Sequence, residues 1–445
     1  MGAGGQDTTS EGWPETGMSE RCAKAIHKAK KEIRSELKPA AWSRRGYWKS
    51  DATALPKTLD NLTRIHCKDV TPEQFFKRFE VTAQPVVIDG FLEGTAAKDW
   101  SAKSLLARFG ERAFKCGEDD EGYPERVKLK HFMEYCETEG QTDDSPLYVF
   151  DSKFATQTGA KKTDSDSDSS SSDSEQERSL LADYELPSYF RDDLFKLVGS
   201  KRRPPWRWFM IGPRNSGTGI HTDPLGTSAW NMLAQGHKRW CVFPPDCPRH
   251  LLKPDEYKGV DREAISWFQE VLPKLIKDHP ELAARRIDFV QRPGETVFVP
   301  GDWWHVVTNL ETTVAVTQNF SSCSNFPLVW GETVKSRPRL AARWVHRLSK
   351  DRKKYGTCVD HAMKFIREMP DAAGLWEGEA DQGSIPEEQK LRRFFVKSRH
   401  ARKRERKEKR KRKKERKKER RRAAKRQKTK PADDGSSSSS SSSSS

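Results

Sequence analysis

The feature that most constrains this chain is a succession of short apolar, β-prone runs in its second half, three of them followed by Gly or Pro (Gly236, Pro244 and Pro300). Ala229–Leu233, Arg239–Phe243, Thr296–Val299, His305–Thr308 and Thr313–Phe320 are too brief for buried helices and read as strands. Gly236 between the first two runs predicts a hairpin, and Pro300-Gly301 predicts a second pairing between Thr296–Val299 and His305–Thr308. In Thr313–Phe320, Ala315, Thr317 and Asn319 fall on one face by the period of two.

Chemistry enters just before these runs, in G-I-H-T-D-P (219–224). His221 and Asp223 lie two residues apart in an extended stretch that Pro224 ends, so imidazole and carboxylate reach the same side. Thr222, between them, faces away. An isolated H-x-D is more often solvated or structural than metal-bound. Here it precedes a lysine-bearing hairpin (Asn231 and Lys238) and a later P-G-D-W-W-H-V-V that offers His305. Two histidines and one carboxylate on one face, with other positions open, suit a non-haem Fe(II) centre.

The run G-T-G-I-H-T-D-P-L-G-T-S-A-W-N-M-L-A-Q-G-H-K-R-W (217–240) resembles the JmjC family of 2-oxoglutarate oxygenases, specifically its arginine-demethylase and lysyl-hydroxylase type. So do R-R-P-P-W-R-W-F-M-I-G-P (202–213), F-K-C-G-E-D-D-E-G-Y (114–123), D-D-S-P-L-Y-V-F-D (143–151), P-G-E-T-V-F-V-P-G-D-W-W-H-V-V (293–307) and V-A-V-T-Q-N-F (314–320). The resemblance implies a mostly β, α+β protein with flanking helices around a double-stranded β-helix, the cupin-like jelly-roll. It implies Fe(II) on His221, Asp223 and His305, with 2-oxoglutarate and O2 as co-substrates. Lys238 would meet the far carboxylate of 2-oxoglutarate, which cannot be buried unpaired, and Thr317 would add a hydroxyl. Asn231, Tyr148 and Asn319 would complete the co-substrate site, with Trp208 and Phe150 as its walls. Without the resemblance, Tyr148 and Phe150 on Pro146–Asp151 read equally well as core.

Composition separates a body from its appendages. Of 445 residues, 34% are hydrophobic and 33% charged, too polar for a wholly packed chain. Lys397 to Lys430 carries 23 Lys and Arg against 4 Glu, a balance of +19, so with a total of +17 the remainder sums to about −2. The expected organisation is disorder over 1–18, a helical segment and the first catalytic part over 19–160, and an acidic, serine-rich insertion over 161–178. The β-helix core follows over 179–326, a helical segment over 327–370, and a linker, basic tail and polyserine over 371–445. The serines of 163–177, flanked by acids, read as phosphoacceptors or as a solubilising loop.

Among the helices, Glu20–Leu37 reads as a solvated surface helix. Lys103–Phe109 should bury Leu105, Leu106 and Phe109 on one side, 327–348 should hold two short helices, and His361–Met369 a last one. Eight cysteines without C-x-x-C spacing read as reduced thiols in an intracellular protein, and no apolar run predicts a membrane span.

The expected function is therefore hydroxylation of lysine or demethylation of methyl-arginine in nuclear proteins such as histones and RNA-processing factors, with succinate and CO2 as co-products. Residues 397–430 would direct nuclear entry and bind RNA or another polyanion, and homo-oligomerisation is compatible with the sequence. The competing readings are a sister oxygenase acting on tRNA or asparagine, and a catalytically silent RNA-binding adaptor.

Overall fold

The structure is a computed structural model that describes residues 13, 17–50, 57–155, 180–199, 202–257, 263–369 and 394. The expected acidic insertion, most of the expected N-terminal disordered stretch, and the basic and polyserine segments lie outside those residues.

Thirteen strands are described. β1 (Arg64–His66), β2 (Val86–Asp89) and β5 (Val149–Asp151) come from the first part of the chain, where β3 (Ala113–Glu118) and β4 (Pro124–Lys128) form a ladder of their own. The second part supplies β6 (Arg207–Gly212), β7 (Gly217–His221), β8 (Ser228–Gln235) and β9 (Lys238–Phe243). It continues with β10 (Ile287–Gln291), β11 (Thr296–Val299), β12 (Trp304–Asn309) and β13 (Thr313–Phe320). One sheet runs β1-β2-β11-β8-β13-β6-β5 and the other β10-β9-β12-β7. From β6 onward the chain passes between the sheets, β6, β8, β11 and β13 in the larger and β7, β9, β10 and β12 in the smaller. This is the double-stranded β-helix expected from the resemblance.

That crossing overturns two local expectations. β8 and β9 do not form a hairpin: β8 pairs with β11 and β13, and β9 pairs with β10 and β12. Likewise β11 and β12, joined through Pro300-Gly301, belong to different sheets. Tight turns close a hairpin only if the second strand folds back along the first; here they carry it to the opposite layer. Gly236 fits that corner because its φ is +79° and a Cβ would lie 2.5 Å from the Thr312 carbonyl oxygen. The sequence hid the choice because both faces of β9 are buried, leaving no polar alternation.

The larger sheet divides its side chains by the period of two. Val314, Val316 and Phe320 of β13 enter the main core, where Phe190 stacks on Trp230 and Phe298 (ring centroids 6.0 and 5.9 Å). Each such side chain removed from water contributes about 1.5–3 kcal/mol. The opposite face, with Asn231, Thr317 and Asn319, looks into the space between the sheets.

Three helix readings need correction. The N-terminal helix Glu20–Ile33 is packed rather than solvated, burying Cys22, Ile26, Ala29 and Lys30. The Lys30 ammonium sits between the carboxylates of Glu139 and Asp143. A lysine-rich composition concealed the apolar i, i+4, i+7 spacing of Cys22, Ile26 and Ala29. In Ala102–Phe109, Leu105 and Phe109 are buried but Leu106 turns outward, one residue being about 100° around a helix. The last helix begins earlier than expected, spanning Arg352–Arg367. It packs with Phe326–Ser336 and Pro338–Ser349 around Trp330 and Trp344.

Candidate active site

β7 and β12 pair antiparallel, with His221 directly opposite His305 and the ring centroids 4.2 Å apart. The register then shifts, so that Gly219 and Ile220 together face Val306. A bulge of this kind bends the strand and re-aims the next side chain. β7 ends at His221, and Asp223 follows in extended conformation (φ −64°, ψ 145°) before the Pro224–Gly226 turn. That turn packs on the one preceding β12: a Cβ on Gly301 would lie 2.3 Å from the Gly226 carbonyl oxygen. Leu225 and Asp302 adopt left-handed φ values of 62° and 65° in these turns. Asp223 and His305 are therefore fixed relative to each other by backbone contact.

One ligand atom from each of His221, Asp223 and His305 lies within 4.8 Å of the others. His221 Nδ1 lies 2.7 Å from the Gly219 carbonyl oxygen, and His305 Nδ1 lies 3.0 Å from that of Trp303. A carbonyl only accepts, so both Nδ1 atoms carry the proton and both Nε2 lone pairs stay available. Asp223 Oδ2 is buried without a hydrogen-bond partner. Burial, aided by the neighbouring His305, pushes His221 down to about 4 against the pull of Asp223, so its ring is neutral at physiological pH. Two imidazoles and an orphaned carboxylate oxygen fit a divalent cation, with room for further ligands.

These side chains open into a cavity of about 470 Å³ between the sheets. Tyr148, Phe150, Trp208, Asn231, Lys238, Thr317 and Asn319, all expected at the co-substrate site, line it together with the three ligand-type residues. Lys238 is 1% exposed, and its ammonium donates to Asn309 Oδ1 (2.6 Å), Tyr148 Oη (3.1 Å) and Thr313 Oγ1 (3.3 Å). Among the described residues no carboxylate pairs with it, and burial pushes its pKa down to about 7. Burial also raises the Tyr148 phenol, which stays a neutral hydrogen-bonding group. An anion seated beside Lys238 would supply the missing countercharge.

The polar lining keeps capacity in reserve. Thr317 Oγ1 donates to the Trp230 carbonyl oxygen (2.8 Å) and can still accept, and Asn319 Nδ2 donates to Thr227 Oγ1 (2.9 Å). Asn231 Oδ1 is buried with no partner. Phe150 stacks on Trp208 at 5.5 Å, forming an apolar wall. His237, the other histidine near Lys238, points away and pairs with Glu311.

Sequence reasoning missed Asn309, Thr313 and Trp240. A signal existed for the first two. His305, Val307 and Asn309 share a face once the strand is carried one residue past Thr308. Thr313 continues the face of Ala315, Thr317 and Asn319.

Residues 208–320 match the family described as JmjC domain, hydroxylase. The chain is 44% identical over 336 residues, 75% of its length, to the bifunctional arginine demethylase and lysyl-hydroxylase psr-1 of Caenorhabditis elegans, covering 78% of that protein. It is 35% identical over 280 residues to the arginine-specific demethylase JMJ22 of Arabidopsis thaliana, 61% of this chain and 48% of that one. A shorter similarity, 32% over 148 residues, joins it to the 2-oxoglutarate and iron-dependent oxygenase JMJD4 homolog of Drosophila melanogaster, covering 33% and 32% of the two chains.

Proposed function

The chain belongs to the JmjC family of Fe(II)- and 2-oxoglutarate-dependent dioxygenases, and on that premise we propose that it hydroxylates lysyl side chains, demethylates methyl-arginine, or does both, in nuclear proteins. The observation that carries this reading is one cavity joining a His/Asp/His set to a buried lysine, the Asp223 oxygen and the lysine having, among the described residues, neither a partner nor a carboxylate respectively.

His221, Asp223 and His305 would hold the iron, their Nδ1 bonds to Gly219 and Trp303 fixing each ring's orientation. When bound, Fe(II) with 2-oxoglutarate and O2 supplies the oxidation that hydroxylates a C–H bond, with succinate and CO2 as co-products. Lys238 would bind the far carboxylate of 2-oxoglutarate, supported by Tyr148 and Thr317. Asn309 and Thr313 orient the ammonium by accepting its protons. Asn231 and Asn319 offer polar contacts to the same ligand, and Phe150 and Trp208 keep water from that part of the cavity. Substrate placement decides the outcome. A hydroxyl on a lysyl side-chain carbon stays, whereas one on an N-methyl carbon of arginine leaves as formaldehyde.

A silent adaptor is disfavoured because all three ligand-type residues and Lys238 remain positioned. The decisive experiment supplies the purified chain with Fe(II), 2-oxoglutarate, and lysine-rich or methyl-arginine peptides from nuclear proteins. Mass spectrometry should find a gain of one oxygen on lysine or loss of a methyl group with formaldehyde. Succinate release without either product on any protein peptide would move the target to tRNA or asparagine.

A further inference from the structure

A second convergence of ligand-type side chains lies outside the β-sandwich, where helix Glu20–Ile33 packs on helix Leu129–Glu137. Cys22 Sγ, a ring nitrogen of His131 and a carboxylate oxygen of Glu134 lie within 4.8 Å of one another. His131 and Glu134 stand three residues apart on one helix and share a face, while Cys22 comes from the first turn of the other. Met18 Sδ lies 3.5 Å from Cys22 Sγ. The oxygenase chemistry uses none of these groups. We propose that Cys22, His131 and Glu134, with Met18 as a neighbouring soft donor, form a zinc site that fastens the N-terminal helix to the body of the protein.

A purely structural account covers only part of the cluster. Glu134 accepts hydrogen bonds from the Ser19 backbone N–H and hydroxyl, and the Cys22 thiol donates to the His131 carbonyl oxygen at 3.1 Å. The Cys22 side chain also reaches the carboxylate, and these bonds still leave acceptor capacity on Glu134. They also leave the His131 ring without a hydrogen-bond partner among the described residues, although it is half-buried. Burial, assisted by Lys130, lowers the pKa of His131, so the ring is neutral and has a lone pair to give.

The thiol is the group a metal would change most. Burial and the charge of Glu134 push Cys22 up to about 12, so alone it stays protonated. A dication reverses that balance: it neutralises the carboxylate, forms a Zn–S bond, and the S–H proton leaves to solvent. Sulfur, nitrogen and oxygen donors together suit Zn(II), which accepts all three in tetrahedral sites.

The two metal-type clusters can be told apart by spectroscopy, because His221, Asp223 and His305 contain no sulfur. Co(II), added to the full chain as a stand-in for zinc, should give a thiolate-to-cobalt charge-transfer band that saturates within two equivalents, the second being taken by His221, Asp223 and His305, and disappears when Zn(II) is added. Cys22→Ser should abolish the band. His131→Ala, at a half-exposed position that tolerates truncation, should weaken cobalt binding at this site by about tenfold or more. Far-ultraviolet circular dichroism would show that both variants retain their helices. Absence of the band in the unaltered protein would overturn the proposal. So would a band that survives at full strength in both variants.

Discussion

His221 and His305 are direct register partners on β7 and β12, their rings 4.2 Å apart and both Nδ1 atoms committed to backbone carbonyls. Burial, and then the neighbouring His305, disfavour protonation of His221 and hold it near 4. The two free Nε2 atoms and the unpartnered Asp223 Oδ2 make one site. His221→Ala should abolish stoichiometric Fe(II) binding and succinate production together. His237→Ala, at an exposed pair with Glu311, should leave both intact. Metal analysis of the two variants checks the assignment, and normal iron content in His221→Ala would defeat it.

Lys238 is the second half of the site. Lys238→Ala would leave the far carboxylate of 2-oxoglutarate buried and unpaired, a loss of about 3–5 kcal/mol. The apparent constant for 2-oxoglutarate should rise by about two to four orders of magnitude while iron binding persists. Thr317→Val should act in the same direction but less. An unchanged constant in Lys238→Ala would show that the co-substrate lies elsewhere.

The same lysine predicts a pH dependence. Burial lowers its pKa in the free protein to about 7, and only the ammonium attracts the carboxylate. The binding-competent fraction therefore falls as pH rises through that value, and the apparent constant grows by up to about tenfold per pH unit above it. Below it the constant levels off. Binding measured from about pH 6 to pH 9 should follow this course. Lys238→Arg, which stays charged throughout, should flatten it whatever its affinity. An identical slope in that variant would place the titration on another group.

How much of this was legible in the sequence depended on whether a feature was local. The period of two set Thr317 beside Asn319 and predicted that His221 and Asp223 share a side, because strand geometry alone decides such placements. The partner of each strand was not legible. Gly236 and Gly301 looked like hairpin turns, yet both carry the chain across to the other sheet, a choice set by contacts with Thr312 and Gly226 far along the sequence. Lys30 misled for a related reason. Its burial depends on Glu139 and Asp143, more than 100 residues away.

Arg239 and Asp288 join β9 to β10 with both side chains fully buried, at 3.0 and 2.6 Å. Burial raises the Asp288 carboxyl against the pull of Arg239 and Arg286. Asp288→Asn removes the countercharge and should cost about 3–5 kcal/mol in chemical denaturation, without altering the residues of the cavity. The double replacement Arg239→Met with Asp288→Leu should recover part of that loss, because Arg239 is then no longer left desolvated, although Arg286, 3.7 Å from Asp288, still loses its carboxylate. A double variant no more stable than the single one would show that the pair contributes more than its electrostatics.

The basic run over residues 397–430 lies outside the described residues, and its chemistry predicts a role separate from turnover. With 23 Lys and Arg against 4 Glu, it should bind RNA through phosphates, releasing counterions whatever the base sequence. Affinity should therefore fall steeply and log-linearly with salt. Removing residues 397–445 should cost most RNA affinity and nuclear accumulation. Turnover on a short peptide should not change, since His221, Asp223, His305 and Lys238 all precede the deletion. Residues 163–177 carry acidic side chains and serines, and phosphorylation there would add negative charge able to compete with RNA for the same lysines and arginines. Filter binding across a salt series, with and without the tail, measures the slope and the loss together. If the truncated chain binds RNA as tightly at moderate salt, the affinity belongs to the folded body, and the expected RNA binding by the tail is refuted.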